Sequence, residues 1–321
     1  MAEATIQKTK AAGKGKWAAF QKNYLARWQL YLFLLLPIAY VIIFNYIPMA
    51  GIQIAFKKFD MTKGIWGSPW TGLANFKRFF SAYNFWNILW NTLSLALYGL
   101  IAGFPLPILL ALLINAFPGQ KFKKLVQTVS YMPHFISTVV IVGMLVQLFN
   151  PRTGAFGTLA HLFTGQMVTT DLLASPKTFP HVYVWSGVWQ GVGWGSIVYI
   201  AALAGVDAEL HEAAEIDGAT RWQRVLKIDL PSILPTATIM LILNAGGIMN
   251  VGFEKVYLMQ NSLNISRSEV ISTYVYKVGL QIAGGDFSFA TAIGLFNSVI
   301  NFILLITVNT VTKKLGNTSL W

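Results

Sequence analysis

The sequence predicts an all-α, polytopic membrane protein with six transmembrane helices. Three observations carry that expectation. Only 11% of the 321 residues are Asp, Glu, Lys or Arg, against roughly a quarter in soluble domains. Mean hydropathy is +0.55. Six apolar runs recur along the chain, each near the ~20 residues of helix that a hydrocarbon core of about 30 Å requires.

The elements follow in order. Residues 1–29 form a basic segment carrying Lys8, Lys10, Lys14, Lys16, Lys22 and Arg27. It is too long and too loosely built for a cleaved signal peptide, and it suits the cytoplasmic flank of a spanning helix. The first crossing runs from Leu30 to Ile47. The second lies within Asn91 to Phe117, where Pro105 and Pro107 predict a kink. A third runs from Leu125 to Phe149, a fourth from Val182 to Ala204, a fifth from Pro235 to Val256 and a sixth from Phe289 to Val311. Asn244, Gly246, Gly247, Asn250 and Gly252 interrupt the fifth. The membrane domain is therefore 30–312, followed by a short tail, 313–321.

Six crossings put both termini on one side. The basic turn Lys121, Lys123 and Lys124, the trio Arg221, Arg224 and Lys227, and the terminal pair Lys313 and Lys314 join the basic N-terminus on that side. The bias marks it as cytoplasmic, although Lys57 and Lys58 beyond the first crossing oppose it. Formal net charge is +12, but the positives form no nucleic-acid module. On the outer side, Trp70 to Phe80 mixes aromatics with Lys77 and Arg78, as an interfacial helix does.

The polar segment 205–234, between the fourth and fifth crossings, holds the most informative residues. Asp207, Glu209, Glu212 and Glu215 load the start of a short helix with acid, which complements its positive N-terminal dipole. Leu210, Ala213 and Ala214 make a narrow apolar side. Asp217-Gly218 predicts a turn, and a second helix restarts near Thr220 with Trp222, Val225 and Leu226 on one face. Leu230-Pro231 is expected to close that helix, and Pro235 to open the fifth crossing. On composition alone the segment fits either an amphipathic helix at the headgroups or a surface that docks on another subunit.

The pattern Glu212-Ala213-Ala214-x-x-Asp217-Gly218-Ala219, followed by Ile228-x-Leu230-Pro231 and Pro235, resembles the EAA loop of permease subunits in binding-protein-dependent ABC importers. The resemblance extends over nearly the whole chain. Gly72-Leu73-x-Asn75-Phe76 and Tyr274-x-Tyr276 look like the sugar branch, and within it the chain is most similar to permeases for oligosaccharides of polysaccharide origin, in particular membrane subunits of bacterial alginate importers. The resemblance implies a type I ABC importer permease fold in the inner membrane. It also implies a second homologous permease, two ATPase subunits that bind ATP and Mg, an external solute-binding protein, and an oligosaccharide such as an alginate fragment as substrate. Glu212, Ala213, Ala214, Asp217, Gly218 and Ala219 would then couple to the ATPases. Val225 stands where the family usually has Phe, a smaller docking knob.

No nucleotide-hydrolysis site accompanies these features. Gly13-Lys14-Gly15-Lys16 lacks both the upstream Gly and the following Ser or Thr of a Walker A loop. The chain has no cysteine, which removes disulfides and thiolate catalysis. His134, His161, His181 and His211 lack metal-ligand spacing, and no paired carboxylates or nucleophile–base set points to an enzyme. An ion-coupled secondary transporter would need a mid-span carboxylate, which is absent. An amino-acid or peptide permease of the same superfamily remains an alternative, because the docking loop is shared across substrates.

For a translocation path, Gln190 in the fourth crossing and Asn244 and Asn250 in the fifth are the best-placed polar groups. Trp194 follows Gln190 by four residues and shares its helix face, an aromatic surface beside an amide that suits a sugar ring. Trp185 and Trp189 point elsewhere. The same residues also fit interhelical hydrogen bonding and packing. No Lys or Arg stands out in the core of the crossings to receive a polyanion. Selection is therefore expected on the external protein, rather than through Lys57, Lys58, Arg152 and Lys277 near the outer face.

Overall fold

Helix accounts for nearly all regular structure, as apolar runs that must satisfy their own backbone polar groups dictate. The computed structural model describes residues 28–165, 171–282 and 284–316. The basic residues Lys8 to Arg27 and the tail beyond residue 316 lie outside the described residues. Two compact units are present, one of residues 28–54 with 59–68, the other of residues 55–58 with everything from 69 onward.

The first unit is built on α1 (Trp28–Val41), which continues through a π turn at Ile42–Tyr46. Its side chains, Phe33 and Leu36 among them, are exposed except at the half-buried Ala39; such a surface belongs in lipid. The π turn precedes Pro48, with the Ile47 N–H donating to the Ile42 carbonyl, five residues back. A proline lacks the N–H for the usual bond and crowds the carbonyl four residues earlier, and the wider turn accommodates both defects.

The second unit begins with α2 (Ala74–Phe80) on the expected outer side. Asn75 Nδ2 holds it by donating to the carbonyls of Ala55 and Lys57, at 2.9 and 3.1 Å. There follow α3 (Phe85–Gly103) and α4 (Pro105–Ala116), a 32-residue apolar rod with its joint at the expected prolines. Next come α5 (Gln120–Tyr131) and α6 (Thr138–Leu148), and then the 25-residue α7 (Phe179–Leu203). The short α8 (Ala208–Ile216) and α9 (Arg221–Arg224) lead into α10 (Leu230–Gly246). After α11 (Phe253–Met259) and α12 (Ile271–Tyr276), the chain ends in α13 (Phe287–Gly316).

Among the described residues, four helices are long and apolar enough to cross a membrane: Trp28–Phe56, Phe85–Ala116, Arg221–Gly246 and Phe287–Lys314. Two bent pairs bring the number to six if each is one span, α5 through Phe135 with α6 at 97°, and α7 with α8 at 77°. The third expected crossing is thus not straight. Pro133 sits in a single 3₁₀ turn, Ile136 is extended, and Ser137 caps the restart at α6.

The fifth crossing is displaced towards the N-terminus. Helix runs unbroken over the 26 residues Arg221–Gly246 and stops at the glycine pair 246–247, so Asn250 and Gly252 lie beyond it. Leu230-Pro231 does not close the preceding helix. A second π turn, Val225–Asp229, lets the Leu230 N–H reach the Val225 carbonyl, and this wider turn accommodates Pro231 within the continuing helix. Pro235, expected to open the fifth crossing, lies inside α10.

Three buried clusters hold the second unit together. Phe79, Phe85, Ile88, Ile271 and Phe289 pack α2 and α3 against α12 and α13. Leu95, Val142, Phe179, Val256 and Val270 fill a second cluster, and Leu112, Tyr199, Leu203, Val225 and Ile233 a third, beside the acidic segment.

Candidate functional site

The acidic segment folds into a helix, a tight reversal and a second helix, each end closed by its own residues. Asp207 caps α8, its Oδ1 accepting from the Glu209 N–H at 3.0 Å. At the far end Gly218 takes φ +77°. The Gly218 N–H donates to the Glu215 carbonyl at 3.1 Å and the Ala219 N–H to the Ala214 carbonyl at 2.9 Å. This is a Schellman closure, whose αL position favours glycine. Thr220 then caps α9 in a reciprocal box with Gln223.

Glu212, Ala213, Asp217 and Gly218 are exposed, and Ala214 and Ala219 are half-buried. Two contacts tie α8 to the rod behind it. Arg224 Nη1 meets Glu215 Oε2 at 3.0 Å, and His211 Nε2 stands 3.2 Å from Oδ1 of the buried Asp229. Glu215 is 72% exposed, so the first pair contributes little to stability. Val225 is 5% exposed and belongs to the core with Leu112, Tyr199 and Leu203. It is therefore not a docking knob. The exposed apolar groups of the segment are Leu210, Ile216, Trp222 and Leu226.

Further along the helices lies a cavity of about 420 Å³ between α3, α4, α7 and α10. Gln190 and Asn244 line it together with Tyr183 and Tyr199. The Asn244 side chain has no hydrogen-bond partner among the described residues, whereas Gln190 Nε2 donates to the Ile136 carbonyl at 3.2 Å. Trp194 shares the Gln190 face but does not line the cavity. It stacks on His134, ring centroids 4.4 Å apart and planes 3° from parallel, filling the notch opened by the bend at Pro133. Trp185 and Trp189 face an apolar groove with Met144 and Phe149.

Asn250 reaches an adjoining cavity that it shares with Asn244. Its Oδ1 accepts from Asn297 Nδ2 at 3.0 Å and Asn301 Nδ2 at 3.1 Å, so it also ties the loop after α10 to α13. Asn250→Ala leaves the buried Asn301 donor unpaired, at about 1–3 kcal/mol. The expected result is a melting temperature lower by several degrees in detergent, measurable by thermal-shift assay, whereas Asn244→Ala leaves it unchanged.

The charged groups are placed differently from the sequence reading. Lys57 is 2% exposed with its ammonium over the Trp70 ring, and Lys277 pairs with Glu269 at 3.2 Å. Lys255, by contrast, enters the cavity. It does so because α10 stops at Gly246 and α11, packed against α6, carries Lys255 to Tyr183 on α7.

Residues 103–317 match the family model described as the binding-protein-dependent transport system inner membrane component. The chain belongs to this family. The permease is 42% identical over 311 residues to Protein LplB of Bacillus subtilis (strain 168), covering 97% of this chain and 96% of that one. It is 39% identical over 292 residues to the polygalacturonan/rhamnogalacturonan transport system permease protein YteP of the same organism, covering 91% and 90%. A crystal structure of a bacterial ABC transporter involved in the import of the acidic polysaccharide alginate contains a chain of like fold. The TM-score is 0.84 at 37% identity, over 94% of the permease and 99% of that chain. The permease thus stands in the sugar and oligosaccharide branch of the ABC importers and is a transport subunit rather than an enzyme. The sequence signal for the cavity was the Gly- and Asn-rich break after Leu243; the placement of Lys255 depends on the turn beyond it.

Proposed function

We propose that this permease forms one half of the membrane path of an ATP-driven importer for acidic oligosaccharides, alginate fragments or related uronides. A second homologous permease completes the path, two ATPase subunits holding ATP and Mg bind at the cytoplasmic face, and an external solute-binding protein delivers the substrate. In this reading the bent pair α5–α6 is one span and α7 alone is another, with α8 outside the bilayer, giving six crossings with both termini in the cytoplasm.

The observation that carries the reading is the joining of the acidic helix α8 to the cavity by one unbroken helix, Arg221–Gly246. The Glu212–Ala219 segment serves as the coupling element. Closure of the ATPases displaces α8, the rod carries the displacement to Asn244, and the cavity changes from inward to outward access. Hydrolysis resets the pair, and the ligand crosses. This is two-state alternating access. Gln190 and Asn244 offer amides to sugar hydroxyls, and Tyr183 and Tyr199 offer rings to apolar sugar faces. The likeness to the alginate importer chain and to YteP supports the substrate class.

Ala213→Arg tests the docking surface against a helix that merely lies at the headgroups. Ala213 is exposed on α8, and Arg retains helix propensity, so the fold persists while the close-approach face is blocked. The expected result is at least a tenfold loss of ATPase subunits co-purified with the permease, together with loss of oligosaccharide uptake in proteoliposomes. Undiminished recovery of ATPase subunits overturns docking through this face.

A further inference from the structure

Lys255 is a charge in an unusual place. It is 8% exposed, on the short helix α11, and lines the cavity with Gln190 and Asn244. Its ammonium donates to the Tyr183 carbonyl at 3.2 Å and lies 5.3 Å from the centroid of the Tyr183 ring. No carboxylate pairs with it among the described residues. An ammonium has three N–H donors, so two remain for another partner. Gly187 on α7 adjoins the ammonium: a methyl group there would lie in ordinary contact, 3.4 Å from Nζ. A buried cation without a counter-ion is costly to hold, and in a membrane protein such a group facing a cavity is a mark of function.

We propose that Lys255 is the receptor for a substrate carboxylate within the membrane path, binding the C6 carboxylate of a uronic-acid unit while Gln190 and Asn244 meet its hydroxyls. The inference rests on the acidic-oligosaccharide reading and adds that this subunit itself selects charge, beyond any selection by the external protein. A lone ammonium suits a single carboxylate oxygen approached from varying directions, as a ligand in transit requires, whereas a guanidinium would hold it in a fixed two-point geometry. The carboxylate supplies the missing counter-ion, so occupancy removes the cost of the buried charge.

The chain has no cysteine, so Lys255→Cys gives the subunit a single thiol. The test uses the complete importer in proteoliposomes, with partner subunits lacking accessible thiols, and follows uptake of an alginate pentasaccharide and an oligogalacturonate of similar length. Lys255→Cys is expected to lower uptake at least tenfold. Aminoethyl methanethiosulfonate, which restores an ammonium, is expected to recover at least a third of wild-type uptake. Methyl methanethiosulfonate, which adds a neutral cap, recovers none, and substrate slows the reaction of the thiol with either reagent. Wild-type uptake by Lys255→Cys, or recovery by the charged reagent no greater than by the neutral one, overturns the proposal. If the wild-type importer takes up neither uronide but does carry another solute, the substrate reading itself fails and this assignment falls with it.

Discussion

Gly218→Pro is expected to abolish ATP-driven uptake while the protein still inserts into the membrane. Three local costs coincide at this position. Gly218 has φ +77°, and a proline ring holds φ near −65°. The Gly218 N–H that donates to the Glu215 carbonyl would be lost. Asp217, now preceding a proline, would be driven from φ −71°, ψ 1° towards an extended conformation. The Schellman closure cannot survive all three, so α8 loses its fixed direction relative to α9. Damage stays local, because the exposed residues around the turn contribute nothing to the three buried clusters. Gly218→Ala isolates the first cost, about 1–2 kcal/mol for an L-residue in the left-handed region, and is expected to reduce uptake without eliminating it. Uptake assays on membranes matched for permease content check both. Normal uptake by a well-inserted Gly218→Pro protein would remove this turn from the coupling path.

The second large effect is on folding. At Gly193, in α7, an added Cβ would lie 2.0 Å from the Ser130 carbonyl oxygen and 2.9 Å from the Tyr131 N. These are backbone atoms of α5, so no side-chain rotation relieves the clash and the helices must separate. Small residues allow such close approach between membrane helices. Gly193→Ala is expected to cost at least the upper end of the about 1–3 kcal/mol typical of overpacking, with a melting temperature lower by roughly 6–12 °C at the usual 2–4 °C per kcal/mol. Gly191, two residues earlier, is the control, because a Cβ there meets nothing within 4 Å. Gly191→Ala should be neutral or gain up to about 1 kcal/mol from helix propensity. Thermal unfolding of the purified pair decides the matter; equal melting temperatures would mean that α5 can yield.

Much of this architecture is visible in the residue pattern. Charge depletion and apolar runs locate the long helices to within a few residues at α7 and α13, where nothing competes with periodicity. The reversal at Asp217-Gly218 and the restart at Thr220 are legible because caps act through nearest neighbours. Other features depend on partners distant in sequence. Pro231 reads as a terminator, and only the wider turn before it carries the helix onward. Trp194 reads as a sugar platform until the bend at Pro133 brings His134 beneath its ring. Val225 reads as a surface knob, yet Leu112, Tyr199 and Leu203, distant in sequence, bury it. Lys255 sits at the edge of an expected crossing, and its position in the cavity follows from a loop whose path no local rule fixes.

The two widened turns before Pro48 and Pro231 have a mechanical consequence. A proline ordinarily supplies a soft joint, but here the helix passes each one without interruption. The 26-residue run Arg221–Gly246 therefore continues past Pro231 as one helix about 39 Å long, at 1.5 Å per residue, with Pro235 in its interior. Tilting one end by about 5° would sweep the other through an arc of roughly 3 Å. On the proposed coupling reading, a tilt at the Arg221 end would move Asn244 with no intervening loop.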